Sequence, residues 1–195
     1  ILEDRLEQIK VNKNKELIWI LEHEEIYTGG TSFSDNEILD KSINFIKTNR
    51  GGKITYHGPG QLVVYPILDL DQFFTDIHKY MRFLEQAVIN TLLKFGIQSS
   101  RIDGMTGVWI DSALPSARKI CAMGVKSSRW VTMHGIGFNI NTNLDFFSHI
   151  VPCGIDDKAV TSMKKELGIE VDMQEVENII IEEFKSLFGF QIKHK

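Results

Sequence analysis

The apolar positions of this chain change period several times along its length. Between residues 73 and 95, Phe74, Ile77, Met81, Leu84, Val88 and Leu92 fall on one stripe, which predicts an amphipathic helix that Gly96 stops. Residues 1–11 show helical spacing at Leu2, Leu6 and Ile9. The run 17–21 reads as a buried strand, and 62–70, rich in β-branched and aromatic residues, as a central strand. Residues 27–34, with Gly29 and Gly30, read as a turn region. Residues 107–111, 119–125 and 131–140 read as further strands, two of them interrupted by glycine. Near the C-terminal end, Asp172 and Glu175 form an N-cap and N3 pair that opens a helix towards Leu187, with Gly189 as its stop. Strands in the middle with helices at both ends predict an α+β or α/β layered arrangement. No repeat, low-complexity stretch or Pro/Gly/Ser linker divides the chain, so residues 1–195 are expected to form a single domain.

Composition narrows the class. With 43% hydrophobic and 25% charged residues, the profile is that of an ordinary globular protein. The longest apolar runs, such as 62–68, are too short for a membrane span, and residue 1 already lies in a charged amphipathic segment without the marks of a signal peptide. A cytoplasmic protein with no membrane partner is expected. The net charge of −4 argues against nucleic-acid binding, but it is unevenly spread: residues 41–129 hold 12 Lys/Arg against 6 Asp/Glu. That positive middle would suit an acidic macromolecular partner, although scattered solvated charges give the same count. Two cysteines, Cys121 and Cys153, make no disulfide framework in a chain of this length.

Four stretches carry candidate chemistry. The first, 50–61, reads Arg-Gly-Gly-Lys-Ile-Thr-Tyr-His-Gly-Pro-Gly-Gln. Its glycines let backbone approach a ligand, and Arg50 and Lys53 could hold a phosphate or carboxylate; equally, it is two turns around a short strand at 53–56. It has neither a Walker A ending nor dinucleotide-fingerprint spacing. In the second, 118–125, strand alternation puts Lys119, Cys121 and Met123 on one face, with Lys119 either a snorkelling surface lysine or a partly buried amine. In the third, His134-Gly135-Ile136-Gly137-Phe138-Asn139, the glycines either open one side of a strand to a ligand or mark a bulge or tight contact. In the fourth, Val151-Pro152-Cys153-Gly154-Ile155, a cysteine between proline and glycine sits in a turn, where a nearby cation would make it a thiolate. Cys121 lacks such a setting and is assigned a structural role. His57, His134, His149 and Cys153 show no metal-ligand spacing, so no metal is expected.

In this order the four stretches resemble the lipoate-biosynthesis octanoyltransferases, also called lipoyl(octanoyl) transferases. The family's Arg-Gly-Gly-x-x-Thr-x-His-Gly-Pro-Gly-Gln signature is met from Arg50 to Gln61, its Lys-Ile-x-x-x-Gly-Val from Lys119 to Val125, its His-Gly-x-x-x-Asn at His134, Gly135 and Asn139, and its Pro-Cys-Gly-Ile from Pro152 to Ile155. Residues 19–23 and 27–31 also look like the family's first strand and loop, so the likeness runs from about Leu17 to Leu167. Two positions depart from the pattern. Gly137-Phe138 stands where the family usually has Ala-Leu, and the phenylalanine would narrow or reshape an acyl pocket; Cys121 stands where a small inert residue is commoner.

The resemblance implies an α+β fold shared with biotin and lipoate protein ligases, a mixed β-sheet flanked by α-helices. It implies transfer of an octanoyl group from octanoyl-acyl carrier protein to a lysine of a lipoyl domain, in 2-oxoacid dehydrogenase acyltransferase subunits and the glycine cleavage H protein, with no cofactor. The family's acyl-thioester cysteine falls on Cys153 and its dyad lysine on Lys119. Its substrate-binding segments fall on Arg50, Gly51, Gly52, Lys53, Ile54, Thr55, Tyr56 and His57, on Ala122, Met123 and Gly124, and on Gly135, Ile136 and Gly137.

These residue types suit the reaction. A covalent relay divides the exchange into two displacements and predicts ping-pong kinetics. A cationic Lys119 would favour the Cys153 thiolate; acylation would remove that negative partner and leave the lysine a better base for the incoming amine. Backbone N–H groups near Gly154 or in 122–124 are candidate oxyanion donors, His57 and His134 candidate cleft residues, and Arg118, Lys126 and Arg129 a candidate dock for an acidic carrier. The rivals are an ATP-dependent lipoate or biotin ligase, an amidotransferase between protein lysines, and a non-catalytic module that binds acylated carriers.

Overall fold

The computed structural model describes residues 2–11, 16–151 and 159–190. In chain order its elements are helix α1 (Leu2–Val11), strands β1 (Leu17–Leu21), β2 (Ile26–Gly29), β3 (Phe45–Lys47), β4 (Ile54–His57) and β5 (Gln61–Ile67), helix α2 (Ile77–Lys94), strands β6 (Ser100–Ile102), β7 (Met105–Ile110), β8 (Arg118–Ser128), β9 (Val131–Asn139) and β10 (Ala159–Val160), and helices α3 (Met163–Leu167) and α4 (Met173–Phe188). Two sheets result. The larger runs β1-β5-β9-β8-β7-β6, all antiparallel, with β10 added parallel to the start of β8; the smaller runs β3-β2-β4, parallel then antiparallel.

Alternation divides the faces. One face of the large sheet, with Leu62, Val64, Val108, Ile110, Cys121, Ile136 and Phe138, packs on Leu84, Val88 and Leu92 of α2 and on Val176, Ile180 and Phe184 of α4. The small sheet has its own apolar layer, in which Tyr27, Ile54 and Tyr56 meet Phe147 and Ile150. The inner surfaces of the two sheets face each other across a cavity, described below.

Several elements differ from the sequence expectation, each for a physical reason. The apolar run of β1 is half-buried because the strand lies at a sheet edge and pairs only with β5. Residues 26–29 form a strand, not a turn: β2 is the centre of the small sheet, and Gly29 leaves the space that the Phe33 ring fills. Strand β5 ends at Ile67, short of 70, where a 3-10 turn (Leu70–Gln72) begins. Helix α2 begins at Ile77, because the Asp76 side chain accepts from Lys79 N and caps it there; Phe73 and Phe74 precede the helix and meet the Phe188 ring. The Asp172 cap and the Gly189 stop, at φ 72°, lie where the pattern put them.

Candidate active site

The cavity between the sheets has a volume of about 680 Å³, within the ordinary range for small-molecule sites of about 300–1,000 Å³. Its floor is made by β8 and β9. Register sets Ala122 opposite Gly137 and Gly124 opposite Gly135, so the smallest residues of the two strands stand side by side. The glycines are needed for close approach. A Cβ on Gly124 would lie 2.6 Å from Gly51 O, and one on Gly135 would lie 2.1 Å from Val64 O. Gly124 thus lets the backbone of residues 50–51 cross β8, where Gly51 N donates to Val125 O (2.9 Å).

The small sheet, with Ile26, Thr28, Ile46, Ile54, Thr55 and His57, and the loop between β3 and β4, with Thr48, Arg50, Gly52 and Lys53, supply the opposite wall. Arg50 is a clamp between segments: its Nη2 donates to Thr28 O (2.5 Å) and Thr28 Oγ1 (2.9 Å), and its Nη1 to Gly51 O (3.1 Å). Lys53 pairs with the buried Glu37 at 2.6 Å. The two cations suggested from sequence as an anion clamp are therefore engaged with the protein itself.

Lys119 lies at the β7 side. It is 7% exposed, lines the cavity, and holds its Nζ 4.6 Å from the ring centre of Trp109, its direct cross-strand partner. Sequence alternation placed Lys119, Cys121 and Met123 on one face; the structure does not. Trp109 pairs with Lys119 and Val108 with Cys121, so Ile120 is an extra residue, a β-bulge that separates the faces. Cys121 joins the helix-side core with Met123 packed against it, while Lys119 shares the cavity with Ala122 and Gly124. Burial pushes the Cys121 thiol well up, as suits its structural assignment. Gly107, at φ 126°, lies tight against β8: a Cβ there would lie 2.6 Å from Cys121 O and 3.3 Å from Lys119 Cε. Gly107 N in turn donates to the fully buried Glu85 (3.1 Å), which Arg101 and Arg82 also contact at 2.8 and 2.9 Å.

Towards β1 and β5 the cavity is lined by imidazoles and a phenol. His23 and Tyr65 Oη are hydrogen-bonded at 2.9 Å, the His23 and His57 rings are 5.5 Å apart, and His134 bonds Asn49 Oδ1 through Nε2 (2.9 Å). His134 sits at φ 62°, a strained value for a non-glycine residue beside a cavity. Burial lowers the His57 pKa to about 4 and that of His23 in the same direction, so both rings favour the neutral form.

Most of the residues expected to bind substrate thus line one cavity with Lys119. Gly51 and Tyr56 do not: Gly51 serves the strand crossing, and Tyr56 turns to the small sheet's outer layer, stacked on Phe146. Phe138 does not narrow the cavity, because it faces the helices; the departure that reaches the cavity is Gly137. Arg118 is no open docking cation, since Asp111 and Glu166 both hold it at 2.5 Å. Cys153 and Gly154 lie outside the described residues, so the sulfur–ammonium pairing stands as an expectation. Sequence reasoning missed His23, Tyr65, Met105 and Thr106 as lining residues. Tyr65 lies on the central strand that the hydrophobic pattern had found, and His23 stands two residues beyond β1, at the end of the 19–23 stretch that resembles the family's first strand. Among the described residues no three His, Cys, Asp or Glu side chains are grouped to hold a metal, and no helix is long and apolar enough to cross a membrane.

Helices on one face of a mixed sheet, and a small sheet across the other enclosing a glycine-floored slot, define an α+β fold of the lipoate-protein-ligase type. An archaeal bi-partite lipoate protein ligase from Thermoplasma acidophilum superposes with a TM-score of 0.71 at 18% identity, covering 99% of this chain and 82% of that one. Residues 2–185 match the family model of the lipoyl protein ligase A/B catalytic domain. The chain belongs to that family. Among its relatives, an octanoyltransferase of Christiangramia forsetii is 54% identical over 183 residues, covering 90% of this chain and 78% of that protein. An octanoyltransferase of Cytophaga hutchinsonii is 54% identical over 181 residues, covering 89% and 74%.

Proposed function

We propose that this chain is an octanoyltransferase of lipoate biosynthesis, moving an octanoyl group from octanoyl-acyl carrier protein to a lysine of lipoyl domains through a thioester on Cys153. The acceptors are the lipoyl domains of 2-oxoacid dehydrogenase acyltransferase subunits and the glycine cleavage H protein, and the reaction runs in the cytoplasm within one catalytic domain. The observation that carries this reading is Lys119. It is a buried lysine lining the slot, with no carboxylate within ion-pair distance among the described residues. Burying a lysine away from any carboxylate carries a desolvation cost, and side chains held at such a cost inside a cleft cluster at functional sites. The described residues flanking 152–158 support the cysteine assignment. Val160 pairs with Lys119 itself, and Val151 N donates to the backbone of Glu37, whose side chain holds the slot residue Lys53.

In the first half-reaction the Cys153 thiolate attacks the thioester carbonyl carbon. The C–S bond to the carrier breaks, and Lys119 gives a proton to the leaving thiolate. In the second, the acceptor amine attacks the Cys153 thioester, the C–S bond breaks to restore the thiolate, and the neutral Lys119 recovers a proton from the amine. Protons and charge close over one cycle, and the glycine floor leaves space for an unbranched acyl chain.

Intact-mass analysis after mixing with octanoyl-carrier protein tests the reading. One octanoyl addition is expected, absent in Cys153→Ala; Lys119→Arg is expected to keep part of the acylation and to lose transfer to a lipoyl domain. Unimpaired transfer by Lys119→Arg would remove the lysine from the mechanism. Modification that needs octanoate and ATP, and ignores Cys153→Ala, would point to a ligase instead.

A further inference from the structure

A line of buried amides leads from His57 away from the cavity. Asn139 Nδ2 donates to Thr161 O (3.0 Å), and Gln61 Nε2 donates to Tyr56 O (3.2 Å) and to Asn139 Oδ1 (2.9 Å). A backbone carbonyl has no hydrogen to give, so contact with Thr161 O and Tyr56 O independently fixes which end of each amide is nitrogen. Gln61 must therefore turn Oε1, an acceptor only, towards His57 Nδ1 at 2.7 Å. It follows that Nδ1 carries a hydrogen. A neutral imidazole has one N–H, so Nε2 bears the lone pair. His57 lines the cavity, and its Nε2 has no hydrogen-bond partner among the described residues.

Burial is the main reason that the ring stays neutral. The Gln61 bond favours a second proton, but Arg50 from the loop before β4, and to a lesser degree His23 from beyond β1 and His134 from β9, oppose it along with burial. Gln61, Asn139 and Thr161 are each almost wholly buried, so water does not compete for their bonds. The same relay reaches the strand of the proposed catalytic lysine, because Thr161 N donates to Lys119 O (2.9 Å).

We propose that Gln61 and Asn139 are positioning residues that lock His57 in its Nδ1–H tautomer, so that the cavity presents a hydrogen-bond acceptor at this point. The ligand group that docks against His57 then has a hydrogen to give: an amine, a thiol or a hydroxyl, and not a carboxylate. In the proposed transfer the attacking amine and the carrier thiol have such a hydrogen, and the acyl chain has none. Only that last identification rests on the proposed function; the tautomer does not.

Long-range proton–nitrogen correlation spectra of histidine-labelled protein test the lock directly. From pH 5 to pH 8, His57, assigned by the signals lost in His57→Gln, is expected to keep Nδ1 protonated and Nε2 bare. A hydrogen on Nε2, or titration near neutrality, overturns the proposal. This readout is independent of turnover, so it decides the tautomer even if no octanoyl transfer occurs. Gln61→Glu supplies the functional arm. The carboxylate should draw a second proton onto the ring and remove the acceptor, lowering transfer by about ten-fold at neutral pH, the scale of one lost hydrogen bond. Transfer should recover as pH rises and the ring loses that proton. An equal loss at every pH would mean that Gln61 only holds structure and would overturn its positioning role.

Discussion

Acidification from pH 7 to pH 5 should destabilise the fold through His57, and a single substitution should remove that effect. The ring has its ordinary pKa of 6.5 when unfolded and about 4 when buried in the native cavity wall. Within that window the unfolded chain binds the extra proton and the native one does not, so stability falls as pH falls. With those two values the loss between pH 7 and pH 5 is about 2 kcal/mol, and it approaches about 3 kcal/mol once the native ring also titrates. His23 is shifted in the same direction and adds to the slope. The carboxyl groups of Glu166 and Asp40, held low by hydrogen bonds and by Arg118, lose their stabilisation chiefly below this window. The test is a pair of urea titrations at each pH on the native chain and on His57→Gln, which keeps a donor for Gln61 Oε1. The difference between their slopes isolates His57 from His23. Parallel slopes would refute the assignment of a buried, neutral ring, and with it the reading that burial outweighs the Gln61 hydrogen bond, which favours the cation.

Three further outcomes follow from contacts already described. Gly124→Ala should lose most activity and about 1–3 kcal/mol of stability, read by thermal unfolding, because its Cβ would press on the Gly51 carbonyl, which is backbone and cannot swing away. Gly137→Ala restores the residue usual in the family. Its Cβ would meet Gln61 Oε1 at 3.0 Å and His57 Cε1 at 3.4 Å, so the expected effect is a displaced His57 and altered ring signals, with Phe138 and the helix-side core untouched. Arg118→Gln should lower stability by about 1 kcal/mol, by freeing Asp111 and Glu166, without changing the salt dependence of carrier-protein affinity; a changed dependence, read from KM at several ionic strengths, would return Arg118 to the docking surface.

What was legible in the sequence depended on whether a residue's role was set by local pattern or by register. The helix stops, the strand cores and the glycine-rich stretches could be read directly, because periodicity and missing side chains act where they stand. The roles of β8 could not. Alternation is a reliable guide only while each residue has one partner across the strand gap, and Ile120 has none of its own opposite Trp109 and Val108. That one inserted residue sends Cys121 into the core and leaves Lys119 at the cavity, separating two side chains that a regular strand would have kept together. The small sheet was partly invisible for a different reason. Its strands are three and four residues long, too short to show a period, and they are held by pairing with each other and by the Arg50 clamp. His57 shows the limit from the chemical side. Its place in a motif marked it as a substrate-binding residue, but which ring nitrogen bears the hydrogen depends on Tyr56 O and Thr161 O, two backbone carbonyls from different parts of the chain. A motif records which side chains are needed at a site; the hydrogen each one offers is determined by what the fold places behind it.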